Sequence, residues 1–314
     1  MHAVPPFPVA LTHCPSYTPA ELDAALARVL TSIDVPNLRS AKVLLKPNLI
    51  SAKHGALPCT EAAFMLAAAR CLLDQGAQVS LGDSPAFGTA TMVLQALGIT
   101  EKLTALGVEI RNFRKGRNVP LRNGDKAFLA EAALDCDLLV NLPRVKAHAQ
   151  ARLTLAVKNC FGCVIGTRKA WWHMKYGGTE GAFQTRLAQI PLLLPPILSL
   201  VDGIVAMHKT GPLQGEAYPL NLVAASMNPV AVDTALHQIL GVSPKQSPIM
   251  AACCRAEMPG AQKEQLIFPL EKTEDFHADG FLVPDELYPV RFNPFRFLTS
   301  ACKRIWLQRQ GLKK

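Results

Sequence analysis

The sequence predicts an α/β fold: a Rossmann-like parallel sheet with two lobes around a central cleft. Short runs of Val, Ile and Leu alternate with Ala- and Leu-rich stretches of helical spacing, the composition of a globular α/β protein. Several runs end in a turn residue followed by polar groups, as in Lys46-Pro47-Asn48 and Gly82-Asp83-Ser84. In open α/β sheets such strand ends are where ligands sit. With 314 residues, 49% of them hydrophobic, the chain can bury about 75% of its unfolded surface and needs neither disulfide nor metal for stability.

Lys42-Val-Leu-Leu-Lys46 is a strand closed by Pro47, and Thr60 to Gln75 is a helix with Phe64, Leu66, Ala67, Leu72 and Leu73 in phase and Gly76 at its end. Gln78-Val-Ser-Leu81 is the next strand, so the three form a parallel unit with a right-handed crossover. Thr89 to Leu97 is a helix closed by Gly98, and Val108 to Asn112 a strand. Between Val119 and Leu129 alternating residues flank Asn123-Gly124, which predicts a type I′ hairpin at the sheet edge. Asp137 to Asn141 is an apolar strand, after which Pro143 turns the chain into a polar loop. Leu153 to Val157 enters Lys158-Asn159 as helix or strand; periodicity fits both.

Ile190 to Val201 contains Pro191, Pro195 and Pro196 and is too short to span a bilayer; it reads as a loop feeding a strand, Ile197 to Val201, that ends at Asp202-Gly203. Lys209 to Gly215 is a loop, Leu222 to Ser226 a strand, and Pro229 to Leu240 a helix with proline at its start and Gly241 past its end. No fixed-period repeat or low-complexity linker interrupts the chain. The expected organisation is one domain over 1–290, with lobes 1–143 and 144–290 meeting at a soft boundary, and a tail over 291–314.

The net charge of +9 is spread along the chain without an aromatic ladder or zinc-finger spacing, which argues against nucleic acid and for small anionic molecules. The tail concentrates it: Arg291, Arg296, Lys303, Arg304, Arg309, Lys313 and Lys314 interleave with Phe295, Leu298, Ile305, Trp306 and Leu312. Such a basic amphipathic helix docks on its own domain, on a partner or peripherally on an anionic membrane. Nine cysteines, an odd number, and no signal-peptide pattern at Met1 point to a reducing cytoplasm.

The densest run of reactive side chains lies between Asn141 and His173. Lys146 and His148, two apart, share one side of an extended segment, and His148 suits a general acid or base; a structural histidine is the plainer alternative. Lys158 emerges from an apolar run, where desolvation lowers its pKa toward nucleophile or base use; burial with an ion-pair partner is the other outcome. Cys160-Phe-Gly-Cys163 is a single CxxC, whereas zinc or a [4Fe-4S] cluster normally needs further ligands. Two packing cysteines are the default, and a cluster shared with a second chain or a ferredoxin the alternative.

Gly162 and Gly166 before Thr167-Arg168-Lys169 form a weak anion-binding loop signal. His173 suits a metal ligand or proton carrier, and Trp171-Trp172 beside it a lid or a homodimer contact. Upstream, Lys46 and Asn48 can grip a carboxylate or phosphate, Asp83 faces the cleft and Ser84 caps the following segment; a solvated lysine and an Asx turn are the structural alternatives.

Together these markers resemble the DUF362 family over nearly the whole chain: Lys46-Pro47-Asn48, Gly82-Asp83-Ser84, Asn141-Leu-Pro-Arg-Val-Lys146-Ala-His148, Thr154-Leu-Ala-Val-Lys158-Asn159 with Gly162, Asp202-Gly203, Gly211-Pro212, Gly215 and Asn228-Pro-Val-Ala-Val-Asp233. The resemblance implies a Rossmann-like fold without a settled reaction. Many members carry a ferredoxin module with eight clustered cysteines, which these residues do not contain. More distantly, the spacing of His148, Lys158 and His173 is similar to that in nickel-pincer lactate racemases, although Ala156-Val157 stand where those enzymes have glycines. That similarity implies that His148 shuttles a proton, Lys158 holds the pincer cofactor and His173 ligates nickel.

The resulting expectation is an enzyme acting on a small anionic organic molecule by proton or hydride transfer next to a carboxylate. Lys146 and Lys169 would hold the anion, with Asn159 nearby and Asp83 orienting a lysine or metal. The alternative is an iron–sulfur or cofactor-handling redox partner built on Cys160 and Cys163.

Overall fold

The computed structural model describes residues 6–288, apart from positions 52, 54, 167 and 178–180. The basic tail over 291–314 lies outside the described residues. Strands β1 (Phe7–Pro8) and β2 (Ala10–His13) come first, then α1 (Pro19–Thr31), which begins with Pro19 and buries Leu22, Ala25, Leu26, Val29 and Leu30 along one stripe. These elements precede the first one expected from the sequence. Strand β3 (Lys42–Pro47), helix α2 (Ala62–Asp74), strand β4 (Gln78–Asp83), helices α3 (Ala90–Ala96) and α4 (Thr100–Ala105) and strand β5 (Glu109–Asn112) form the expected crossover units.

The expected hairpin is β6 (Gly116–Pro120) and β7 (Lys126–Ala130), a two-stranded sheet of its own. Its turn is not type I′. Gly124 has φ +83° while Asn123 does not enter the positive-φ region, and the Gly124 N–H donates to Leu121 O. A turn closed by a left-handed glycine therefore makes a longer, bulged loop.

After α5 (Glu131–Leu134) and β8 (Leu138–Leu142) the sequence suggested a polar loop. The chain instead forms a second strand, β9 (Arg144–His148), buried along its whole length. The reason is side-chain satisfaction: Arg144 donates to Val205 O and Cys59 O and faces Glu61 and Asp202 at 3.4 and 3.8 Å. Asp202 in turn accepts from Tyr17 Oη at 2.6 Å and the Glu61 N–H at 2.9 Å. Polar residues paired this closely can occupy a core strand.

Then follow β10 (Arg152–Thr154), α6 (Ala156–Asn159), a 3-10 turn at Cys160–Cys163, α7 (Arg168–Tyr176) and α8 (Ala182–Gln189). Strand β11 (Ile197–His208) runs past Asp202-Gly203, where the sequence suggested its end. Strand β12 (Glu216–Ser226), α9 (Pro229–Ile239), α10 (Pro248–Arg255) and β13 (Leu266–Ile267) complete the set.

Among the described residues nine strands join in one sheet, whose centre is the parallel run β5-β4-β3-β8-β11. Beyond β11, β12 and β2 continue it antiparallel. Where β8 ends, β9 takes its place beside β11, with β10 antiparallel to it. Residues on both sides of the 143/144 boundary thus pair in the same sheet. Successive strand residues face opposite layers: Val43, Leu45 and Val140 pack under α1 and α2, while Leu44 and Leu139 pack under the hairpin, α8 and α10.

Candidate active site

At the carboxyl ends of β3 and β4, against β9 and α6, lies a cavity of about 580 Å³. Ten of the residues singled out in the sequence line it: Lys46, Asn48, Asp83, Ser84, Lys146, His148, Lys158, Asn159, Lys169 and His173. Parallel strands that end together, two of them in Lys46-Pro47 and Asp83, gather residues distant in sequence.

The floor is an ion pair. Lys46 Nζ lies 2.9 Å from Asp83 Oδ1, both side chains are buried, and Lys46 also donates to Pro47 O. Asp83 accepts the backbone N–H groups of Leu49 and Ser84 at 3.0 and 2.8 Å; it takes the cleft position without the Asx turn, because Pro85, two residues on, has no N–H to donate. Gly162 lies against this pair; a Cβ there would overlap Asp83 Oδ1 and the end of Lys46. The cap expected from Ser84 falls to Thr89, whose side chain accepts the Met92 N–H, while Ser84 O accepts Lys169 Nζ.

Lys146 reaches across from β9 and donates to Asn48 Oδ1 at 3.0 Å and Pro58 O at 2.8 Å. Burial, reinforced by Lys158, holds its pKa well below the ordinary lysine value. Asn48 is fixed through Thr60, whose hydroxyl accepts the Asn48 N–H and donates to Leu142 O. His148 Nδ1 accepts the Gln150 N–H at 3.0 Å, which assigns the proton of the neutral ring to Nε2. Burial, then Lys158, Lys146 and His173, pushes its pKa well below the usual range, so the ring is neutral at physiological pH.

Lys158 stands on α6, a single turn held from outside. Asp233 on α9 accepts the Ala156 and Val157 N–H groups at 2.7 and 3.0 Å, and Asn141 Nδ2 donates to Ala156 O at 3.0 Å. Asn159 donates to Asn141 Oδ1 and Lys46 O, locking the turn to the floor. Among the described residues Lys158 has no hydrogen-bond or ion-pair partner, unlike Lys46, Lys146 and Lys169. Desolvation lowers its pKa to about 8.

His173 on α7 stacks on Phe183 at 4.5 Å. Burial, then Lys158 and Lys169, lowers its pKa to about 4, and its Nδ1 is buried without a hydrogen-bond partner. Two further cavity residues hold buried, unpartnered oxygens, Thr154 Oγ1 and Gln184 Oε1. Of the tryptophans beside His173, Trp171 is exposed and Trp172 buried. The anion-loop reading does not extend to Arg168, whose guanidinium lies 3.9 Å over the Phe128 ring.

The family model described as "Domain of unknown function (DUF362)" matches residues 43–238. A "thylakoid-associated protein" of Synechocystis sp. is 36% identical over 269 residues, 85% of this chain and 84% of that protein. The chain belongs to the DUF362 family. Among solved structures, the lactate racemase apoprotein of Thermoanaerobacterium thermosaccharolyticum aligns with TM-score 0.42 and 16% identity, over 61% of this chain and 50% of that one. A Thermotoga maritima protein from a structural genomics consortium aligns with TM-score 0.43 and 12% identity, over 69% of this chain and 56% of that one. The chain therefore spans only about half the length of these two structures.

In this DUF362 protein Cys160 and Cys163 are not brought to the cavity. Both are fully buried in the apolar cluster that includes Val157, Val164 and Leu187. Burial raises the Cys160 thiol well above its usual pKa and pushes Cys163 up to about 12. Among the described residues no group of three or more His, Cys, Asp or Glu is placed to hold a metal. This position fits the two packing cysteines expected by default. Residues that sequence reasoning passed over as site components are Asp233, Asn141, Thr60 and Gln184. Asp233 and Asn141 stand in the DUF362 markers, and only the fold shows that both hold the Lys158 turn.

Proposed function

We propose that this DUF362 protein is an enzyme that transfers a proton at the carbon next to the carboxylate of a small anionic organic molecule. The observation that carries the reading is Lys158: an unpartnered amine on the cavity wall, with its pKa lowered to about 8. Near neutral pH about a tenth of such lysines are neutral amines, ready to accept a proton, against well under 1% for an ordinary lysine. Lys146 and Lys169 line the same cavity and would hold the carboxylate. The α-proton passes to Lys158 Nζ and the electron pair moves onto the carboxylate, whose oxygen accepts a hydrogen bond from His148 Nε2–H. Neutral His148 is thus the donor rather than the base, because its Nδ1 is occupied by Gln150. The Lys158 ammonium then returns the proton to carbon.

The test is deuterium incorporation. A panel of 2-hydroxy and simple carboxylic acids is incubated with the protein in D2O and loss of the α-proton signal is followed by NMR. Exchange with at least one acid, abolished in Lys158→Met and slowed in His148→Gln, is expected. Undiminished exchange in Lys158→Met rejects the assignment.

The unpartnered His173 Nδ1 favours a second reading, hydride transfer, in which Lys158 would hold and His173 would ligate a nickel-pincer group. Such a group supplies a hydride acceptor when bound. Negligible nickel in the purified protein, unchanged by His173→Ala, rejects this reading. A cytoplasmic setting is part of the proposal, supported by eight free cysteines among the described residues. No helix among those residues is long and apolar enough to cross a membrane.

A further inference from the structure

We infer that the ligand of this cavity is an amphipathic acid, with its anionic head at the strand ends and an apolar body of several carbons along the wall formed by α8 and the start of α10. The inference rests on the anion-site reading above and supplies the rest of the molecule.

The cavity lining divides by structural element. Most polar groups come from the ends of β3 and β4, from β9, β10 and α6, and from Lys169 and His173 on α7, with Gln184 on α8 the one polar side chain named here that stands among the apolar ones. The other wall is apolar: Phe161 of the 3-10 turn, Phe183 and Leu187 on α8, Ile249 in the first turn of α10, and Phe87 and Leu213 from loops. Phe87, 49% exposed, stands at the rim of this wall. A volume of about 580 Å³ corresponds to roughly twenty waters and falls within the range of sites that enclose drug-sized molecules. A three-carbon acid would satisfy the strand ends and leave these side chains hydrated. A longer body releases that water, and each methylene buried tightens binding about fourfold.

Isothermal titration of the full chain near neutral pH, at constant ionic strength, tests the inference with butanoate, octanoate, dodecanoate and the uncharged 1-octanol. The expected gain from butanoate to octanoate is on the order of a hundredfold, with 1-octanol at least about tenfold weaker than octanoate. Leu213→Asp, in a half-buried loop position, is expected to flatten the chain-length dependence and leave butanoate binding in place. Phe87→Ser does the same from the exposed rim should the first variant not fold. Equal affinity for butanoate and octanoate overturns the apolar body and leaves the proton-transfer reading standing. Octanol binding as tightly as octanoate overturns the acidic head. Failure of the folded protein to bind any of the acids rejects this inference and the anion site together.

Discussion

Replacing Lys158 with methionine is expected to stabilise the protein at neutral pH. The folded chain lowers this lysine from 10.5 to about 8 by desolvation alone, with no partner to offset the burial. At 1.36 kcal/mol per pH unit, a fall of about 2.5 corresponds to about 3 kcal/mol of destabilisation by the buried charge. Confined water still reaches part of the side chain, so this is an upper figure. Below about pH 8 both folded and unfolded chains carry the ammonium, and the folded state bears the full cost. Above about pH 10.5 both are neutral and the cost is gone, so the advantage of Lys158→Met fades as pH rises from 8 to 10.5. At about 2 °C per kcal/mol for a chain this long, the variant should melt roughly 6 °C higher near pH 7. Calorimetric melts near pH 7 and pH 10.5 measure both effects. Lys146, also lowered by burial, donates to Asn48 Oδ1 and Pro58 O, so in Lys146→Met the loss of those bonds offsets the gain from removing a buried charge. A Lys158→Met protein no more stable than its parent near pH 7, or equally advantaged at pH 10.5, refutes the reasoning.

Gly162→Ala is expected to cost about 2 kcal/mol or more, since the new methyl meets a buried ion pair; an unchanged urea midpoint would contradict this. His173, lowered to about 4, makes the fold lose stability as pH falls from 6.5 toward 4, because the unfolded ring takes up a proton that the folded ring refuses. The loss should be smaller in His173→Gln, and parallel pH–stability curves for the two proteins would exclude it. Cys160 and Cys163 should resist a thiol reagent in the native protein and react on denaturation, as read by peptide mass; rapid native labelling would show that the pair is reachable.

The strands β3, β4 and β8 were legible because each is an apolar run ended by a turn residue, and their ends located the cavity. The strand β9 was not, because Arg144, Lys146 and His148 look like loop residues when taken singly. Their alternation with Val145 and Ala147 was the available signal, and it depends on partners far away in sequence: Val205 and Cys59 for Arg144, Asn48 and Pro58 for Lys146. The reach of β11 past Asp202-Gly203 was hidden for the same reason, since Asp202 is acceptable in a core only once Tyr17 and Arg144 meet it. Lys158 was found through the apolar run before it. Its support was not, because the Asp233 carboxylate lies 76 residues from Val157 in sequence. The hairpin was located along the chain, but it forms its own sheet over the face of the main one rather than at its edge, and its turn type rests on a single backbone angle at Asn123 that an Asn-Gly pair does not dictate.

The shared flank of β11 has a consequence for how the polypeptide can be divided. Since β3 leans on β8 and β2 on β12, a break in the exposed hairpin loop near Arg122 would give two fragments, one carrying Lys46 and Asp83 and the other Lys146 and Lys158. Neither piece encloses the hollow by itself. Function in such a split protein would return only by complementation, with a dependence on fragment concentration that an intact chain does not show.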